Sequence, residues 1–94
     1  MNNNEITLFS AEIGNSAPCI DLHGLFVDDA INGLEKFITN EFAKGTEVVK
    51  IIHGHGTGRL RQIVHDWLSQ SKYVIGFRIA YTGAITLAIL GDRK

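Results

Sequence analysis

Two short apolar runs in this chain end in the same way. "CIDLHG" closes on Leu22-His23-Gly24, and "EVVKIIHG" closes on Ile52-His53-Gly54, with the two histidines thirty positions apart. Between them Val27, Ala30, Ile31, Leu34, Phe37, Ile38 and Phe42 recur at spacings of three and four, which is one face of a helix of about four turns. Strand, helix and strand within that length make one β-α-β unit, whose strands are parallel and joined right-handedly. If the two strands lie side by side, both His-Gly pairs emerge at the carboxyl edge of the sheet, where open α/β sheets bind ligands.

The remainder of the chain extends this unit. Asp28 and Asp29 stand in the first turn of the first helix, where the helix dipole favours negative charge, although no capping side chain precedes them. Gly45 is the expected C-terminal cap. "EVVKIIH" is β-branched and too apolar for a strand with one face in water, so it is expected to be central. A second helix follows the glycines, with Leu60, Ile63, Val64, Trp67 and Leu68 on its buried face. "YVIGFRIAY" and "AITLAIL" are two further strands that meet near Thr82-Gly83. Ile75, Phe77, Ile79 and Tyr81 alternate on one face, and Ile85, Leu87 and Ile89 on the next strand; these faces are expected under the helices. Gly76, Arg78, Ala80, Ala84, Thr86 and Ala88 would then form a small-residue open face. The predicted class is α/β, an α+β two-layer sandwich. Its order is β-α-β-α-β-β, with a four-stranded mixed sheet and two helices on one face. Residues 1–18 read as a lead-in broken by Pro18, with Ile6, Leu8 and Phe9 able to dock, and residues 19–94 as the domain.

Ninety-four residues suffice for one core, and no apolar run approaches the roughly 20 residues of a membrane span. The first five residues lack the basic and apolar regions of a signal peptide, and the single Cys19 forms no internal disulfide, which together point to the cytoplasm. Net charge is −1, but it is unevenly spread. Residues 1–47 hold two basic and eight acidic side chains, and residues 48–94 hold seven basic and two acidic ones. A mixed surface and a basic face around the glycines both fit this distribution.

The loop "HGHGTGRLR" is the centre of the chemical argument. A dinucleotide fingerprint requires a glycine where Arg59 stands, and so does a Walker loop counted from Gly54, so both are excluded. A glycine turn that opens a helix still presents backbone N–H groups and a positive helix end, and Arg59 and Arg61 add charge within one turn. Gly54, Gly56, Thr57, Gly58, Arg59 and Arg61 are therefore candidate phosphate-binding residues, with Arg78 as a further cation; a plain strand-to-helix turn is the alternative. Imidazole titrates near neutral pH, so His23 and His53 are candidates for acid–base work on a phosphate. Asp21, His23, His53 and His55 also form an acceptable ligand set for a metal such as zinc, although no H-x-x-x-H or paired-cysteine spacing supports one. Asp21 and His23 point to the same face of an ideal strand, shared with Cys19, whereas Ile20 and Leu22 point to the helices. That alternation predicts a polar cluster on the open side near Arg78. His65 falls on the polar side of the second helix and is expected to be solvated.

These motifs resemble the Smr (small MutS-related) domain family. The resemblance rests on Asp21-Leu22-His23-Gly24, on "VDDAINGLEKFI", and on "VKIIHGHGTGRLRQIVHDWL"; it covers residues 19–90. The loop with its directly following helix is most similar to the Smr domains that end MutS-like recombination-suppressing proteins. The resemblance implies a fold like the C-terminal domain of the third translation initiation factor, and endonuclease activity that nicks DNA or cleaves RNA. The family's Asp-Leu-His motif falls on Asp21 and His23, and its H-G-x-G motif on His53, Gly54 and Gly56. His55 is outside its fixed positions, and only Gly83 in "YTGAIT" stands where many members have Gly-Gly-x-Gly. The partners implied are branched or nicked DNA, RNA or a ribosome, with no membrane. A divalent metal would be needed chiefly if water must attack a DNA phosphate. A binding module without turnover is the alternative function.

Overall fold

The computed structural model describes residues 17–80 and 83–92. Its elements are β1 (Cys19–Asp21), α1 (Val27–Ala43), β2 (Val48–Ile52), α2 (Arg59–Gln70), β3 (Val74–Ile79) and β4 (Ile85–Leu90). Among the described residues no helix is long and apolar enough to cross a membrane. The suggested docking of Ile6, Leu8 and Phe9, and the placement of Tyr81, lie outside the described residues.

Helix α1 forms where the apolar stripe predicts it. Its N-cap is Phe26, in extended conformation, with no side-chain hydrogen bond to the first turn, while Asp28 and Asp29 complement the dipole. Its end is a Schellman motif. Gly45, at φ 82°, donates its N–H to the Phe42 carbonyl, and Thr46 donates to the Glu41 carbonyl. The buried Glu41 carboxylate then accepts from Thr46 Oγ1 and Lys44 Nζ, which hold its pKa below the ordinary carboxylate value.

The four strands form one sheet in the order β1-β2-β4-β3. β1 and β2 are parallel neighbours, as the β-α-β pattern predicts, and β4 runs antiparallel to both β2 and β3. β2 is central, which its apolar run required. Leu22, Val49, Ile51, Val74, Ala88 and Leu90 of the sheet pack with Ala30, Leu34 and Ile38 of α1 and Val64 and Leu68 of α2. Each fully buried aliphatic side chain contributes about 1.5–3 kcal/mol of transfer free energy, so this layer supplies the main stabilisation.

The faces of β4 are the reverse of those expected. Phe77 pairs with Ala88 and Ile79 with Thr86, and residues opposite one another share a face. Phe77 and Ala88 pack in the helix-side core, so Thr86 and Ala88 face the helices. Ile85, Leu87 and Ile89 lie on the other side, in a second cluster with Val48 and Ala17. Alternation reveals two faces but not which is which, and β4 is apolar on both because both are covered. Ile75 falls at a register irregularity between Val74 and Gly76 and is exposed.

Candidate functional site

The two His-Gly pairs do meet. The Leu22 N–H donates to the Ile52 carbonyl at 2.7 Å, which continues the β1–β2 pairing to the ends of both strands. A methyl placed on Gly54 would lie 3.2 Å from His23 Cβ, and Gly54 has φ 79°, so both space and backbone conformation call for glycine there.

The two imidazoles nevertheless lie on opposite faces. Paired residues of β1 and β2 are thirty-one positions apart, as in Asp21 with Ile52, whereas the histidines are thirty apart. His53 is therefore level with Leu22, on the helix side, and His23 is level with Gly54, on the other. A slip of one residue in register reverses the face.

On the outer side, His23 and Asp21 form a hydrogen-bonded pair. Asp21 Oδ1 contacts His23 Nδ1 and also accepts the His23 backbone N–H at 3.1 Å. These bonds, the side-chain one first, hold the Asp21 pKa below its ordinary value. Both side chains are open to solvent, at 67% exposure for His23 and 51% for Asp21. The carboxylate fixes the ring through Nδ1 and directs Nε2 away from itself.

On the helix side, His53 is buried, with 4% of its surface exposed. Its Nδ1 lies 3.1 Å from the Gly54 carbonyl and its Nε2 lies 2.8 Å from Thr86 Oγ1. The same hydroxyl lies 2.7 Å from His65 Nε2. His65 is thus half-buried rather than solvated, with its ring centroid 5.0 Å from that of Phe77. Burial lowers the pKa of both rings; nearby Arg61 and, for each, another histidine act in the same direction. Neither Thr86 nor His65 is marked by a sequence motif. The available signal was a hydroxyl inside the otherwise apolar "AITLAIL".

The glycine loop borders a cavity of about 230 Å³, lined by Gly24, Leu25 and Val27 on one side and residues 53–61 on the other. Gly58, at φ 85°, is the N-cap of α2, and Thr57 Oγ1 accepts the Arg59 N–H at 3.3 Å. The Arg61 guanidinium folds back to within 3.3 Å of a methyl built on Gly58. The His55 ring lies beside Gly83, 3.9 Å from a methyl built there. Gly54, Gly56, Thr57, Gly58, Arg59 and Arg61 thus share one concavity at a helix N-terminus.

Arg78 does not join Asp21. It stands on the far edge strand β3, opposite Leu87 of β4 and three strand spacings or about 14 Å across the sheet from β1, so the expected polar cluster is not formed. Among the described residues no group of three or more His, Cys, Asp and Glu side chains could hold a metal ion. The set Asp21, His23, His53 and His55 is divided by the sheet, and the His53 nitrogens are directed to Thr86 and Gly54.

Fold and site together define an open α+β sandwich whose parallel strand ends carry an Asp–His pair against a glycine loop. The chain belongs to the Smr domain family, whose profile matches residues 20–84. It is 42% identical over 67 residues to the endonuclease MutS2 of Caldanaerobacter subterraneus, covering 71% of this chain and 8% of that protein. It is 44% identical over 62 residues to endonuclease MutS2 of Aquifex aeolicus, covering 66% of this chain and 8% of that one. The chain thus spans less than a tenth of the length of these relatives. The crystal structure of the Smr domain of Thermus thermophilus MutS2 superposes with a TM-score of 0.77 at 30% identity, covering 81% of this chain and all of that domain. YdaL of Escherichia coli, a stand-alone small MutS-related protein, shares the fold with a TM-score of 0.76 at 22% identity, covering 93% of this chain and 75% of that one.

Proposed function

We propose that this chain is a nucleic-acid endonuclease module that cleaves phosphodiesters at the Asp21–His23 pair. The observation that carries this reading is the approach of His23 to the glycine loop: a methyl built on Gly54 would lie 3.2 Å from His23 Cβ, and the same loop lines a cavity with Arg59 and Arg61 at the start of α2. A phosphate at the loop would accept hydrogen bonds from backbone amides and be neutralised by the two arginines. His23 would take a proton at Nε2 from the attacking oxygen, which is the 2′-hydroxyl in RNA or water in DNA. Asp21 would hold the ring and stabilise the imidazolium formed. As the new P–O bond forms, the bond to the leaving oxygen breaks, and that oxygen takes up a proton from solvent water, while the His23 imidazolium returns its proton to solvent. The relationship to proteins named endonuclease MutS2 supports the same reaction class.

The test is direct. Labelled single-stranded RNA, supercoiled DNA and branched DNA are incubated with the pure protein and with the Asp21→Ala/His23→Ala variant, with and without EDTA. The wild type is expected to cleave at least one substrate, about 10²–10⁴-fold faster than the variant. Equal cleavage by both proteins refutes the assignment, and binding without cleavage makes the chain a binding module. In a salt titration of binding, Arg59→Ala should flatten the log–log slope by about one; an unchanged slope removes Arg59 from the cradle.

A further inference from the structure

We infer that Thr86 and His65 are positioning residues that act through His53 to hold the glycine loop in its binding shape. This assignment rests on the cradle reading above and extends it to two residues far from either motif. Thr86 is fully buried on the helix side of β4, where a valine would fill the same volume. A buried hydroxyl is costly unless it is hydrogen-bonded, and this one stands between two imidazoles.

The order of donors along this line is fixed. The Gly54 carbonyl only accepts, so His53 Nδ1 carries the hydrogen of that bond. Burial lowers the pKa of the ring, so above pH 6.5 it is neutral, His53 Nε2 is bare, and it accepts the Thr86 O–H. Thr86 Oγ1 in turn accepts from His65 Nε2–H. The line runs from α2 through β4 to the first residue of the loop, each group donating to the next. Moving a proton at one end disturbs every bond in it.

The consequence falls on the loop backbone. The Gly54 N–H is bonded to the Ala84 carbonyl at 3.1 Å, and its carbonyl is bonded to His53. Both polar groups of Gly54 are therefore tied inward. A trans peptide places a carbonyl and the following N–H on opposite sides, so the His55 amide is turned away from the His53 ring. His53 sets the direction in which the loop leaves β2, while its two nitrogens are engaged in doing so. Proton transfer then belongs to His23.

The test uses the full chain uniformly labelled with 15N. At pH 7.5 the wild type is expected to show His53 as the Nδ1–H tautomer and His65 as the Nε2–H tautomer in imidazole 15N spectra. Thr86→Val should shift both tautomer equilibria, speed exchange of the Gly54 amide, and weaken binding of a single-stranded oligonucleotide by about tenfold. Thr86→Ser should restore all three, which a role in packing alone would not produce. His65→Gln keeps a side-chain N–H for Thr86 and should fall between the two. Unchanged tautomers in Thr86→Val overturn the relay. So does an unchanged affinity accompanied by shifted tautomers, because the loop is then held by other means. If the wild type binds no oligonucleotide, the cradle reading fails, and the relay is judged on tautomers and Gly54 exchange alone.

Discussion

The two His-Gly pairs of this domain have the same local sequence and the same place in a β-α-β unit, yet their histidines occupy different environments. His23 leaves an edge strand, stands in solvent and is bonded to Asp21. His53 leaves a central strand, is covered by α2, and has both nitrogens committed inside the protein. The cause is an odd register offset between two parallel strands whose histidines are an even number of positions apart. A repeated motif therefore need not mean a repeated role. The exposed member is open to proton exchange with solvent, and the buried one is engaged inside the protein.

The contrast is tested most strongly by stability. His53→Ala leaves a cavity and removes the acceptor of the Thr86 O–H, and is expected to cost about 2–4 kcal/mol in urea unfolding. His23→Ala should change stability by less than about 0.5 kcal/mol. Similar losses from both variants would erase the distinction.

Gly54→Ala comes next. It forces a side chain onto φ 79° and to 3.2 Å from His23 Cβ, and should cost about 1–3 kcal/mol. Gly24 also has a positive φ, 79°, but open space around its absent side chain, so Gly24→Ala should cost less. Equal losses would show that backbone strain alone, and not the approach of the two loops, matters at Gly54.

The pH dependence of thermal unfolding separates the pairs in another way. Burial holds the His53 and His65 rings below their ordinary value of 6.5. As pH falls through 6.5 the unfolded chain binds protons first, so the melting temperature should drop, while above 6.5 these rings add no slope. The His53→Gln/His65→Gln variant should flatten this dependence. The Asp21 carboxyl is shifted down from 3.8, so its contribution is present above that value and is lost only in more acid solution. A melting temperature independent of pH between 7.5 and 5.5 would contradict the neutral buried rings.

The smallest effect concerns the two helix starts. The loop before α2 has Thr57 accepting the Arg59 N–H, whereas Phe26 at the N-cap of α1 makes no such bond and is 83% exposed. Phe26→Ser should add about 1 kcal/mol by supplying the missing acceptor, measured as a rise in the unfolding midpoint. No gain would mean that the α1 amides are already satisfied by other groups.

Much of the molecule was legible from residue order. Periods of two and near 3.6 located all six elements to within a few residues, Gly45 marked the end of α1, and the helix between two apolar runs made β1 and β2 parallel neighbours. These are local consequences of side-chain alternation and backbone freedom, and they need no knowledge of distant contacts. The approach of His23 to the glycine loop followed from that topology alone. Three matters needed the tertiary structure: the side on which His53 falls, the helix-facing position of Thr86, and the separation of Arg78 from Asp21. Each depends on strand register or strand order. A one-residue difference in pairing exchanges the faces of a strand while leaving its alternation pattern identical, and only packing against the helices selects between them.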